Sequence, residues 1–207
     1  ALFQSAYMSG LQKNYQQKII KLEQLLKLYP NSEYGDDALY EIGRSFVMLE
    51  NNMKVIENNR RLLATYPNSV IAPKAQLEIG MVYFNENDYD NAIPVFKKVI
   101  ADYPMSEEAE TALESLETVY INTNNVNSYM DYVKSLGRPV DRNAEVRADS
   151  ITFIAAEKQY IAGNYSGAIS SFSEYLQRYC PSGKFCALAQ NYLADSYYSS
   201  NNRQKAL

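Results

Sequence analysis

Three Tyr-Pro pairs stand 37 residues apart, at Tyr29-Pro30, Tyr66-Pro67 and Tyr103-Pro104. The text around them repeats as well. "YPNSEYGDDALYEIGRSF" from Tyr29 and "YPNSVIAPKAQLEIGMVY" from Tyr66 share Tyr-Pro-Asn-Ser, an alanine, Glu-Ile-Gly and a closing aromatic. A fixed period of this length marks a chain that uses one supersecondary unit several times. Such units bury their apolar faces against their neighbours, so the fold is constrained to a stack. A looser copy, Tyr179-Cys180-Pro181-Ser182, comes later.

Each Tyr-Pro-x-Ser reads as the end of one helix and the start of the next. Proline cannot continue the preceding helix, because it lacks the N–H and clashes with the previous turn. Ser32, Ser69 and Ser106 are then expected to cap the helices that follow, with Glu107 and Glu108 favouring a helix N-terminus. Between two stops lie two helices. In the second unit Ala75, Ile79, Gly80 and Tyr83 recur at three- and four-residue spacing. "NENDYDN", Asn85 to Asn91, is a polar break, and Ala92, Phe96, Val99 and Ile100 mark a second apolar face. Pro94 falls early in that second helix, where a proline costs least.

These residues resemble the tetratricopeptide repeat (TPR) pattern. Gly80, Tyr83, Tyr89, Ala92, Phe96 and Pro104 follow it in register, as do Ile42, Gly43, Phe46, Val55 and Pro67 one unit earlier. Asn59 departs from it, standing where the family has a large apolar residue. Later units match through Ala156, Gly163, Tyr165, Ala168 and Phe172, then Leu193, Ala194, Tyr197 and Ala206. The resemblance implies an all-α fold of tandem helix-turn-helix repeats, about eleven helices wound into a right-handed superhelical solenoid. It also implies that Gly43 and Gly80 face Val55 and Ala92 across each helix pair. The 37-residue step is similar to the longer repeats of bacterial, Bacteroidetes-like envelope proteins, such as the outer-membrane assembly lipoprotein and the periplasmic Tol-Pal coordinator. A periplasmic or outer-membrane location follows as an expectation, with the cytoplasm as the alternative.

The unit after Pro104 breaks the rule, because Glu117 and Tyr129 occupy the small positions. It runs into Gly137 and Pro139, two helix breakers. The expected organisation is an N-terminal block, 1–137, with a partial or irregular first repeat and three more. A joint or longer loop follows at 138–149, then a C-terminal block, 150–207, whose last repeat is incomplete. The end at Ala206-Leu207 reads as the start of a second helix, as in a piece of a longer protein.

Several chemistries are excluded by composition. The chain has no histidine, which removes His-based triads and His-ligated metals, and two cysteines are too few for a four-thiolate zinc site. A net charge of −4 argues against nucleic acid as the partner. No apolar run reaches the ~18 residues of a membrane span. "NENDYDN" lacks the glycine and terminal glutamate of a calcium loop. No cofactor and no enzymatic role are expected.

What remains is a surface. The resemblance places Tyr40, Arg44, Val47 and Met48, then Leu77, Met81 and Phe84, in the concave groove. Further on it places Phe153, Glu157 and Tyr160, and Tyr198 at the end, with Phe3 and Tyr7 as possible starters of the row. Large apolar groups left exposed mark contact sites. A protein or peptide partner held in that groove is the expectation, with Arg44 binding a carboxylate. The alternatives are a structural spacer and a glycan-binding outer-membrane component. The sequence leaves the oligomeric state open. Cys180 and Cys186 flank the five-residue loop "PSGKF", short enough either for a disulfide or for two buried thiols filling small gaps.

Overall fold

The computed structural model describes residues 1–137 and 144–200. Among the described residues there are eleven α-helices and no strand. They are α1 (Leu2–Leu11), α2 (Tyr15–Leu28), α3 (Gly35–Met48), α4 (Asn52–Thr65), α5 (Ala72–Asn85) and α6 (Tyr89–Asp102), followed by α7 (Glu107–Asn122), α8 (Val126–Ser135), α9 (Ala144–Ile161), α10 (Tyr165–Tyr179) and α11 (Cys186–Ser199). The chain forms two compact units, Ala1–Ser115 and Leu116–Leu207. Residues 144–149 of the expected joint are the first turns of α9. Residues 138–143 lie outside the described residues, as does the expected helix start at Ala206-Leu207.

In the first unit each helix packs chiefly on its sequence neighbours, from α1 on α2 through to α5 on α6. The turn inside each pair is built the same way. Lys13, Glu50 and Asn87 adopt left-handed backbone, with φ of 59°, 54° and 58°. The next residue sends its N–H back to the preceding helix: Asn14 to Ser9 O, Asn51 to Phe46 O, Asp88 to Tyr83 O. That closes a Schellman C-terminus. The same residue caps the following helix, its side chain accepting from Gln17 N, Lys54 N and Asn91 N respectively. The step is again 37 residues, and no histidine, glycine or proline announces it.

The link between pairs corrects the reading of the serines. Only Ser106 caps as expected, accepting from Ala109 N at 3.1 Å. Ser32 and Ser69 accept instead from Tyr34 N and Ile71 N, two residues on. Those hydroxyls close small turns, and α3 and α5 begin only at Gly35 and Ala72. Ser69 also donates to Asp36 Oδ2 at 2.6 Å, tying the start of α5 to the start of α3.

Ala6, Leu22, Leu25, Ala38, Leu39, Ile42, Leu62 and Ala75 form one buried cluster running from α1 to α5. The nearest neighbours of the two glycines lie one turn beyond Val55 and Ala92 on the partner helix. A Cβ on Gly80 would lie 2.6 Å from the Phe96 ring, and one on Gly43 would lie 2.8 Å from Asn59 Oδ1. The missing side chain admits a residue one helical turn further along the partner helix, which is fully buried in both repeats.

In the second unit α10 packs on α9 and on α11. Phe153, Ala156, Ala168, Phe172, Tyr175 and Ala189 make its buried cluster. Glu117, at a position expected to be small, is half-buried and pairs with Arg147 at 2.7 Å. Tyr129, at the other such position, is buried with its ring 6.1 Å from that of Tyr120. Cys180 and Cys186 are joined as a disulfide, with Cα atoms 5.7 Å apart. The loop between them is also held without covalent help. Asp149, buried, accepts from Lys184 N at 2.7 Å and from the Tyr175 hydroxyl, which in turn accepts from Phe185 N at 3.1 Å.

Candidate interaction face

Helices α3 and α5 are the first helices of successive pairs, and their outward residues repeat with the chain. Tyr40 and Arg44 on α3 correspond to Leu77 and Met81 on α5, 37 positions on. Tyr40, Leu77 and Met81 are half-buried, while Arg44, Val47 and Met48 are exposed. Tyr40 packs against the buried cluster, and charged groups act on its phenol. Met81 Sδ receives the Ser115 hydroxyl at 3.7 Å, which brings α7 onto the same face.

Charges surround Tyr40. Burial raises its phenol above the ordinary tyrosine range first, with Glu78, Glu41 and Glu108 adding to the shift and Arg44 opposing it. Arg44 lies 4.0 Å from Glu41 Oε1, so a carboxylate of its own chain already stands beside it. Lys18 of α2 donates to the other oxygen of Glu41. Glu78 is half-buried, and desolvation raises its carboxyl above the usual range despite a hydrogen bond from Asn59 and the nearby Arg44. That bond runs from Asn59 Nδ2 to Glu78 Oε2 at 2.6 Å.

Other residues of the expected row take different places. Phe84 packs inside its own helix pair, 6.1 Å from the Tyr89 ring and 6.3 Å from Phe96. Phe153 is core rather than groove. It is only 3% exposed, stacks on Phe185 at 4.5 Å and meets Phe172, Tyr175 and Tyr192. Tyr160 is half-buried against Tyr165 and Tyr192. Glu157 accepts the Tyr192 hydroxyl at 3.0 Å, and Tyr198 is exposed. Phe3 packs on the ring of Tyr34 at 5.4 Å, and Tyr7 is exposed.

A separate hollow of about 360 Å³ lies on α4, lined by Met53, Ile56, Glu57, Arg60 and Tyr83. None of the row's residues borders it. Among the described residues, no three His, Cys, Asp or Glu side chains gather to hold a metal, and no helix is long and apolar enough to cross a membrane.

The sequence family called tetratricopeptide repeat matches residues 1–32 and 74–106. The first stretch is the α1–α2 pair, so the repeat read as irregular carries the family pattern. No curated protein matches the chain. Among solved structures, a tetratricopeptide repeat protein from Parabacteroides merdae ATCC 43184 superposes with a TM-score of 0.55 at 14% identity, over 99% of this chain and 74% of that one. The structure of Naa15/Naa10 bound to HypK-THB superposes with a TM-score of 0.51 at 14% identity, over 99% of this chain and 34% of the other. At such identity the likeness is one of fold. Two stretches of the chain match the tetratricopeptide repeat, and its helices stack in the fold seen in such proteins.

Proposed function

We propose that this chain is a non-catalytic scaffold that holds a protein or peptide segment on the face formed by α3, α5 and α7. The observation that carries the reading is the row Tyr40, Met48, Leu77 and Met81. These large side chains stay partly or largely exposed on a face already stiffened by the cluster beneath. Tyrosine supplies contact area with few rotatable bonds, and methionine adapts to irregular surfaces. Repeat stacks offer extended surfaces of this kind.

The envelope setting is part of the proposal. A disulfide at Cys180–Cys186 suits an oxidising compartment, and the 37-residue step resembles envelope repeats. The test is photo-crosslinking in the producing cell. A benzophenone amino acid at Met48 or Met81 should trap a partner. The same group at Met105, which is 97% exposed between α6 and α7, should not. Equal capture from all three positions would leave the spacer reading standing.

A further inference from the structure

The link between α10 and α11 is fixed at three successive residues. Gly183 N donates to Tyr179 O at 2.6 Å, and Lys184 N donates to Asp149 Oδ2 at 2.7 Å. Phe185 N donates to the Tyr175 hydroxyl, while its ring stacks on Phe153 at 4.5 Å. These anchors come from α9 and α10, and Asp149 and Tyr175 among them are buried. A buried carboxylate costs free energy unless donors meet it, and here Tyr175 and Lys184 N both do. The links from α2 to α3 and from α4 to α5 are simpler, each with one serine hydroxyl closing its turn.

Cys180 directly follows α10 and Cys186 is the first residue of α11, so this link is the chain between the cysteines. It holds their Cα atoms 5.7 Å apart, inside the ~4.4–6.8 Å that a disulfide accepts. None of the anchors needs the bridge. A bridge across so short a ring also removes less entropy from the unfolded chain than one across a longer ring. Both cysteines are partly exposed, and exposed disulfides are the ones that exchange.

We propose that Cys180–Cys186 is a reversible redox clasp, which closes and opens on a loop that Asp149 and Tyr175 hold in either state. The inference goes beyond the scaffold reading and does not depend on it. Closure proceeds by exchange with a small-molecule disulfide such as oxidised glutathione. One cysteine thiolate attacks a glutathione sulfur and expels the first glutathione thiolate. The other cysteine thiolate then attacks the protein sulfur of that mixed disulfide and expels the second. Two electrons pass from the cysteines to glutathione, and the two cysteine protons end on the released glutathione thiols. Whatever holds the loop in the bridged geometry favours closure by the same factor by which closure favours that geometry. Asp149 is therefore a positioning residue for the bridge.

The experiment equilibrates the whole chain in anaerobic glutathione buffers of graded composition. The closed fraction is read by acid quench, thiol alkylation and intact mass. The parent should titrate reversibly, with the same far-UV circular dichroism open and closed. Asp149→Ala should lower the closure equilibrium constant about tenfold, the scale of a lost charge-assisted bond. Asp149→Asn, which keeps an accepting oxygen, should lower it by less, and it carries the test should the alanine variant not fold. Gly163→Ala, at the far end of α9, should leave the constant unchanged, which separates positioning from a general loss of stability. Equal constants for the parent and the Asp149 variants, or a parent that loses helix on opening, would overturn the clasp.

Discussion

A methyl group on Gly80 would fall 2.6 Å from the Phe96 ring, closer than side-chain carbons approach one another. Phe96 is fully buried and has no room to retreat. Gly80→Ala gains helix propensity of up to about 1 kcal/mol but overpacks the pair, which costs ~1–3 kcal/mol. The net expectation is a loss of about 1–2 kcal/mol, read from urea denaturation of the variant beside the parent.

The left-handed turn residues give a prediction of opposite sign. Glu50 holds φ at 54° on the surface, a conformation that costs a residue with a side chain roughly 1–2 kcal/mol. Glu50→Gly should stabilise the chain by about 0.5–1 kcal/mol after the entropy of the freer unfolded glycine is counted. Gly163, with φ of 73°, performs the same turn between α9 and α10, and Gly163→Ala should cost about 1 kcal/mol. Both follow from thermal melts at matched pH.

Tyr175 links α9, α10 and the disulfide loop through Asp149 and Phe185 N. Tyr175→Phe leaves Asp149 buried with one donor fewer, so stability at neutral pH should fall by about 1–3 kcal/mol. Burial, then the bond to Asp149, push the Tyr175 phenol up to about 12. A phenol whose folded value lies above its unfolded value near 10 keeps its proton longer in the native state. Its stabilising contribution is present below pH 10 and is lost as the pH rises toward 12. Denaturation at pH 9 and pH 11.5 should show a steeper decline for the parent than for Tyr175→Phe.

The architecture was legible because the Tyr-Pro stops and the apolar helix periods obey local rules that survive folding. The serine caps were not, since whether Ser32 caps depends on where α3 starts, and the small turn at Tyr34 delays it. The left-handed Lys13 and Glu50 carry no residue type that marks the conformation. Phe153 was misplaced because α9 is apolar on several sides. Ile151, Phe153, Ala155 and Ala156 are all buried, while Ile154 is exposed, and no single period picks out its inner face. The face around Tyr40 was half legible. Its apolar members repeat every 37 residues, whereas the Asn59–Glu78 bond joins α4 to α5, and only its anomaly, an amide at a core position, was visible beforehand.

The central claim is that the face of α3 and α5 binds a partner segment without being needed for the fold. The most direct measurement pairs binding with melting for the double variant Leu77→Asn/Met81→Asn, titrated with a peptide selected against the parent chain. The account predicts at least about a tenfold loss of affinity, as for truncated anchors at an interface, with a melting temperature within about 5 °C of the parent. Unchanged affinity in the double variant would contradict it.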